Sequence, residues 1–128
     1  MKRCLLDSSF VIDLLNEVAA KLVGPARAWT ARNARADLWV SPITYAEVLE
    51  GADDAEAVRE AFRAFRWQTI GRQHGERVAL RQGRAEQRMG ENDAWQAAVA
   101  ECMEAVLVGH DPKAFARLGT RYDDHRRP

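Results

Sequence analysis

The sequence predicts an α/β fold, a three-layer α/β/α sandwich around a mostly parallel sheet of four to five strands. Two observations carry the prediction. Short apolar runs, RCLL (Arg3–Leu6), LWVS (Leu38–Ser41), WQTI (Trp67–Ile70) and AVLV (Ala105–Val108), alternate with longer stretches of helical periodicity. The runs are apolar throughout instead of alternating with polar residues, as in a parallel sheet covered on both faces. A chain of 128 residues suits one domain, residues 1–128, with one core.

The elements follow in order. RCLL runs into a helix, SSFVIDLLN, after Asp7. Gly24-Pro25 interrupts the chain, and Pro25 suits the first turn of a helix carrying Trp29. After LWVS, Pro42 opens ITYAEVLEG, with Gly51 as its stop. Ala55, Val58, Phe62 and Phe65 mark one amphipathic helix, and Val78, Ala85 and Met89 mark one face of the next. Asn92 reads as the N-cap of a helix through Met103, which places Asp93 at its first position. After AVLV come Gly109-His110-Asp111-Pro112, a short helix, and a weak strand near Thr120–Tyr122.

Composition narrows the function. Apolar residues make up 47% of the chain, which excludes disorder. There is no apolar run near the roughly 20 residues of a membrane span, and Asp7 and Asp13 interrupt the leader-like start, so a soluble, cytoplasmic protein with no membrane role is expected. Cys4 and Cys102 lack metal-ligand spacing and read as buried free thiols. Basic and acidic residues balance at 19 each, so any affinity for a polyanion must come from local placement of charge. The basic residues are mostly arginine, a bias that phosphate recognition and a GC-rich genome both explain.

Open parallel sheets bind ligands beyond the C-terminal strand ends, where strand order reverses. Asp7 and Asp111 each follow a strand and fall at such ends. Asp93, in the first turn of its helix, reads first as a partner of the helix dipole. Periodicity does not choose between Glu47 and Glu50, which share one side of their helix.

The stretches LLDSSFVIDLL, SPITYAEVLEG, GENDAWQAAVA and VLVGHDPKAF resemble, in this order, the four successive blocks of the PIN-domain family. Within it they look most like the VapC-type toxins of bacterial and archaeal toxin–antitoxin pairs. No one block is specific; the four together cover nearly the whole chain. The resemblance makes Asp7, Glu47, Asp93 and Asp111 the acidic site residues. It implies that they converge on one or two divalent ions, Mg²⁺ or Mn²⁺, with at least Asp7 and Asp93 bridged. It further implies an endoribonuclease leaving a 5′-phosphate and a 3′-hydroxyl, acting on RNA as a homodimer restrained by a cognate antitoxin. Crowded carboxylates need a compensating charge, which a hard dication supplies.

Two positions depart from the family pattern. Gly109 stands where threonine or serine is common two residues before the last acid, and Gln96 replaces an apolar residue and needs a partner if buried. If the missing hydroxyl weakens metal binding, the alternative is an inactive PIN-like module that binds RNA or protein. A phosphoesterase acting on DNA is a further reading, although such relatives carry extra helices.

Ser8 and Ser9 suit either helix capping or a bond to a metal water, and His110 either a solvated loop or a phosphate contact. Asp13 and Glu17 read as surface or supporting groups. Arg77, Arg81, Arg84 and Arg88 recur at helical spacing as a solvated face or an RNA-contacting ridge. Trp29, Trp39, Trp67 and Trp95 are dispersed and read as core or dimer contacts, and His125, Arg126 and Arg127 as a frayed end.

Overall fold

Strand β1 (Arg3–Leu6) lies at the centre of the sheet, in a computed structural model that describes residues 2–127. It pairs in parallel with β2 (Asp37–Val40) on one side and β4 (Val106–Gly109) on the other. Beyond these lie β3 (Arg66–Trp67) and β5 (Tyr122–Asp124), giving the order β3-β2-β1-β4-β5 for the described residues, every pair parallel. The chain winds outward from β1 to β3 and then restarts at β4, so strand order reverses between β1 and β4.

Helices α1 (Ser8–Ala20), α2 (Pro25–Arg32), α3 (Pro42–Glu50) and α4 (Ala55–Phe62) connect the first three strands. Helices α5 (Arg72–Arg84) and α6 (Glu91–Cys102) precede β4. The short α7 (Pro112–Phe115) and a 3₁₀ segment (Ala116–Arg121) lead to β5.

The two sheet faces follow from strand pleat. Cys4, Leu6 and Val108 point into one core with Phe10, Val11, Trp29, Val48 and Phe62 from the first four helices. Leu5 and Leu107 point the other way, against Val99, Met103 and Phe115. A third cluster joins Val78 of α5 to Ala94, Ala97 and Ala98 of α6; the run of alanines lets these two helices pack closely. The expected three layers are therefore present, and no helix of the described residues is long and apolar enough to cross a membrane.

Several local expectations are revised. The third strand is Arg66–Trp67, not WQTI: Trp67 pairs with Val40, the last residue of β2, so the chain beyond it has no strand to pair with. The last strand begins at Tyr122, in register with Leu107. Helix α5 stops at Arg84, so Ala85 and Met89 are not on a helical face; Gln82 instead clasps the loop through both hydrogen bonds to the Met89 backbone, at 2.7 and 3.0 Å. Gly90, not Asn92, takes the cap position of α6, which moves Asp93 to the third helical residue.

Cys4 is buried, with its thiol pushed up to about 11 by burial, while Cys102 is only half-buried. Trp29 is core, Trp39 and Trp95 are half-buried against the clusters, and Trp67 remains 41% exposed.

The chain end is docked, not frayed. Asp13 accepts from the buried His125 ring at 2.7 Å and from two nitrogens of Arg126 at 2.8 and 2.9 Å. Glu17 is likewise structural: its carboxylate accepts from the backbone N–H groups of Gly24, Ala26 and Arg27, capping α2 where Gly24 has no side chain to do so.

Candidate metal centre

Asp7 follows β1 at the reversal point and is 6% exposed. Its backbone opens α1: the carbonyl accepts from Phe10 and Val11, yet its carboxylate makes no cap bond. Beside it runs β4, whose Val108 carbonyl accepts from the Asp7 N–H at 2.8 Å. That register sets Gly109 against Asp7. A Cβ on Gly109 would stand 2.7 Å from Asp7 Cβ and 2.8 Å from Ser9 Oγ, so only glycine fits without displacement.

Ser9 fills the space. Its hydroxyl donates to Asp7 Oδ2 at 3.0 Å and accepts from the His110 N–H at 2.8 Å, bridging the ends of β1 and β4. Neither serine caps the helix, because Asp7 holds that position. A hydroxyl thus reaches the site from α1 although position 109 has none.

The other Asp7 oxygen faces a buried polar network. Gln96 Oε1 accepts from Ser41 Oγ at 2.5 Å, and its Nε2 donates to Thr44 Oγ1 at 2.7 Å and lies 3.5 Å from Asp7 Oδ1. Thr44 in turn donates to the Leu6 carbonyl at 2.8 Å. Gln96, Ser41 and Thr44 are fully buried, so the amide at position 96 has the partners it requires.

Three carboxylates are raised above the ordinary range. Asp7 is raised by burial, against the opposing bonds from Ser9 and Gln96. Glu47, half-buried on α3, is raised by burial and then by Asp7 and Asp93, with Asn92 and Ser8 working the other way. Asp93 is raised by burial and by the Asp111 and Asp7 carboxylates. Glu47 thus lies near Asp7 and Asp93, whereas Glu50 is exposed.

Asp111 is partly engaged: its Oδ1 accepts from Ala114 N and caps α7, while its own backbone N–H donates to the Tyr122 hydroxyl at 3.0 Å. Among the described residues none of the four pairs with a cation.

A hard dication fits this donor set by charge and by chemistry, since every ligand is an oxygen and the negative charge has no internal counterion. Direct chelation is a separate matter. Among the described residues no three His, Cys, Asp or Glu side chains are arranged to hold an ion together. Mg²⁺ requires less, because it binds through one or two carboxylates and keeps several waters.

The remaining expected residues divide. His110 is not a free loop side chain; its Nδ1 meets Asp124 at 3.0 Å. Arg77, Arg81 and Arg84 lie on α5, whereas Arg88 lies beyond its end, 3.6 Å from Glu91. Ser41 and Thr44 bond Gln96 behind Asp7, Tyr122 accepts from the Asp111 N–H, and Asn92 lies beside Glu47, none of them among the expected site residues. In the sequence Ser41 reads only as a strand end and Asn92 only as a helix cap.

The chain matches the PIN domain family over residues 4–120. The chain belongs to the PIN domain family. PIN domains are nucleases and generally use divalent metals. No curated protein matches the chain.

Three solved structures share the PIN fold. A toxin–antitoxin complex from Klebsiella pneumoniae has a TM-score of 0.74 at 21% identity, covering 95% of this chain and 97% of that one. FitAcB from Neisseria gonorrhoeae has 0.77 at 15%, covering 98% and 99%. VapBC-1 from nontypeable Haemophilus influenzae has 0.66 at 23%, covering 98% and 99%. Within this PIN domain, both departures from the family pattern, Gly109 and Gln96, lie beside the same carboxylate, Asp7.

Proposed function

We propose that this PIN domain is a Mg²⁺- or Mn²⁺-dependent endoribonuclease and the toxin of a VapBC-type pair, working in the cytoplasm as a homodimer held inactive by a cognate antitoxin. The observation that carries the nuclease reading is the set of carboxylates Asp7, Glu47 and Asp93 gathered near the strand-order reversal with no cation paired to them among the described residues, each raised chiefly by burial and the latter two also by neighbouring acids. The similarity to a toxin–antitoxin complex and to VapBC-1 supports the partner.

Asp7, Glu47, Asp93 and Asp111 would hold the metal. Bound there, the ion supplies charge neutralisation, an acidified water and polarisation of the scissile phosphodiester. Ser9 and Gln96 orient Asp7. Glu47, half-exposed and raised above the ordinary carboxylate range by burial and by Asp7, is suited to accept the proton of the attacking water. Attack at phosphorus breaks the bond to the 3′-oxygen, leaving a 3′-hydroxyl and a 5′-phosphate without a 2′-hydroxyl nucleophile. Arg77, Arg81 and Arg84 would contact the RNA backbone, which the bare acids repel. The inactive-module alternative rested on a missing hydroxyl, and Ser9 provides one beside Asp7.

The test is titration calorimetry with Mn²⁺ together with cleavage of single-stranded RNA. Binding and metal-dependent cleavage are expected, both lost in Asp7→Asn and Asp93→Asn. Absence of heat at millimolar Mn²⁺, or cleavage by either variant at the parent's rate, overturns the reading.

A further inference from the structure

Eight residues along α6 from Asp93, roughly 12 Å at about 1.5 Å per residue, the local charge reverses. Glu101 is in contact with Arg81, and has Arg77 at 3.7 Å and Arg121 at 3.9 Å. Arg84 and Arg117 line the same open cleft of about 340 Å³. Glu101 thus has three guanidinium groups within 4 Å, and two more, Arg84 and Arg117, line the cleft, Arg117 donating to the Gln87 carbonyl at 3.3 Å. Among the described residues, Arg84 and Arg117 have no ion-pair partner, and the buried Nε of Arg81 has no acceptor. Arg81 is held below the usual guanidinium range by burial and by its neighbours Arg117 and Arg77, so the cations crowd each other as the acids do.

We propose that this cleft binds backbone phosphates of the RNA strand whose cleavage is assigned to the acidic site. The inference rests on the nuclease reading above. Guanidinium forks grip phosphate oxygens in pairs, and the excess of positive charge calls for an anion. The cleft lining contains no aromatic ring among the described residues, so it recognises backbone and not stacked bases. An acidic protein segment would also satisfy the charge. The common helix favours RNA: α6 ties the cationic cleft to Asp93 at a separation one strand can span. The chain's charge balance leaves no global field to draw a polyanion in, so a local device is required.

The experiment uses Arg84→Ala/Arg117→Ala, which leaves the Arg81–Glu101 pair in place, with thermal unfolding to confirm the fold. Binding of a single-stranded RNA oligonucleotide is followed by fluorescence anisotropy across a salt series, without added metal to avoid cleavage. Each phosphate contact adds about 0.7 to the slope of log Kd against log salt, so losing two flattens it by roughly 1.4. Removing Arg32 and Arg35, at a separate surface, leaves the slope as in the parent. A parent that binds RNA and a cleft variant with an unchanged slope overturn the cleft alone. A parent that binds no RNA overturns the cleft, while the nuclease reading stands or falls on the Mn²⁺-dependent cleavage assay. Weakened binding of an acidic protein partner with RNA binding intact also overturns the cleft.

Discussion

Gln96 and Ser41, fifty-five residues apart, meet at 2.5 Å in a fully buried network behind Asp7. Truncating one member leaves the others buried without partners. Gln96→Leu should lower stability by about 1–3 kcal/mol, and Ser41→Ala in that background should recover part of the loss. Urea unfolding of the four proteins in this cycle measures the coupling; strict additivity would show that the pair contributes nothing.

Gly109→Ser restores the hydroxyl common in the family, yet its Cβ would stand 2.7 Å from Asp7 Cβ. The substitution should therefore reduce both activity and stability, the latter by about 1–3 kcal/mol, as overpacking does. Ser9→Ala should reduce Mn²⁺ affinity through Asp7 while leaving the space at Gly109 open. Calorimetry and thermal melts separate the two effects.

The metal-free protein should lose stability as pH rises through the interval above the ordinary carboxylate pKa. Asp7, Glu47 and Asp93 are raised in the fold, so the folded state binds protons more tightly than the unfolded chain there, and deprotonation penalises it. Asp7→Asn or Asp93→Asn should flatten the profile and raise the metal-free Tm at neutral pH. Saturating Mn²⁺ should lift the parent's Tm and leave the variants nearly unmoved. A parent melting profile without that decline would contradict the crowding of charge.

Asp13 has the opposite sign. Hydrogen bonds from Arg126 hold its carboxyl below the usual range, with His125 adding to the effect. Its contribution is present above the ordinary carboxylate pKa and is lost as pH falls through the lowered one. Asp13→Ala leaves the buried His125 ring without an acceptor and should cost about 1–3 kcal/mol. Arg126→Ala, at an exposed side chain, should cost less. Melting curves at neutral and acid pH would show the Asp13→Ala difference shrinking on acidification.

Periodicity and strand composition were sufficient for the layered parallel fold, because burial of both sheet faces demands continuous apolar strands. The four motif blocks pointed to Asp7, Glu47, Asp93 and Asp111, and strand-end reasoning alone reached Asp7 and Asp111. Residue pattern could not choose Glu47 over Glu50, since both lie on one side of α3; burial beside Asp7 and Asp93 distinguishes them. Nor could it show that Gly109 makes room for Ser9, that Gln96 has Ser41 and Thr44 waiting, or that Asp13 anchors His125 and Arg126. Each depends on contacts between residues far apart in the chain. Local sequence encodes backbone preference and the side a residue faces, whereas hydrogen-bond partners and electrostatic environment arise only when parallel crossovers bring distant strand ends together.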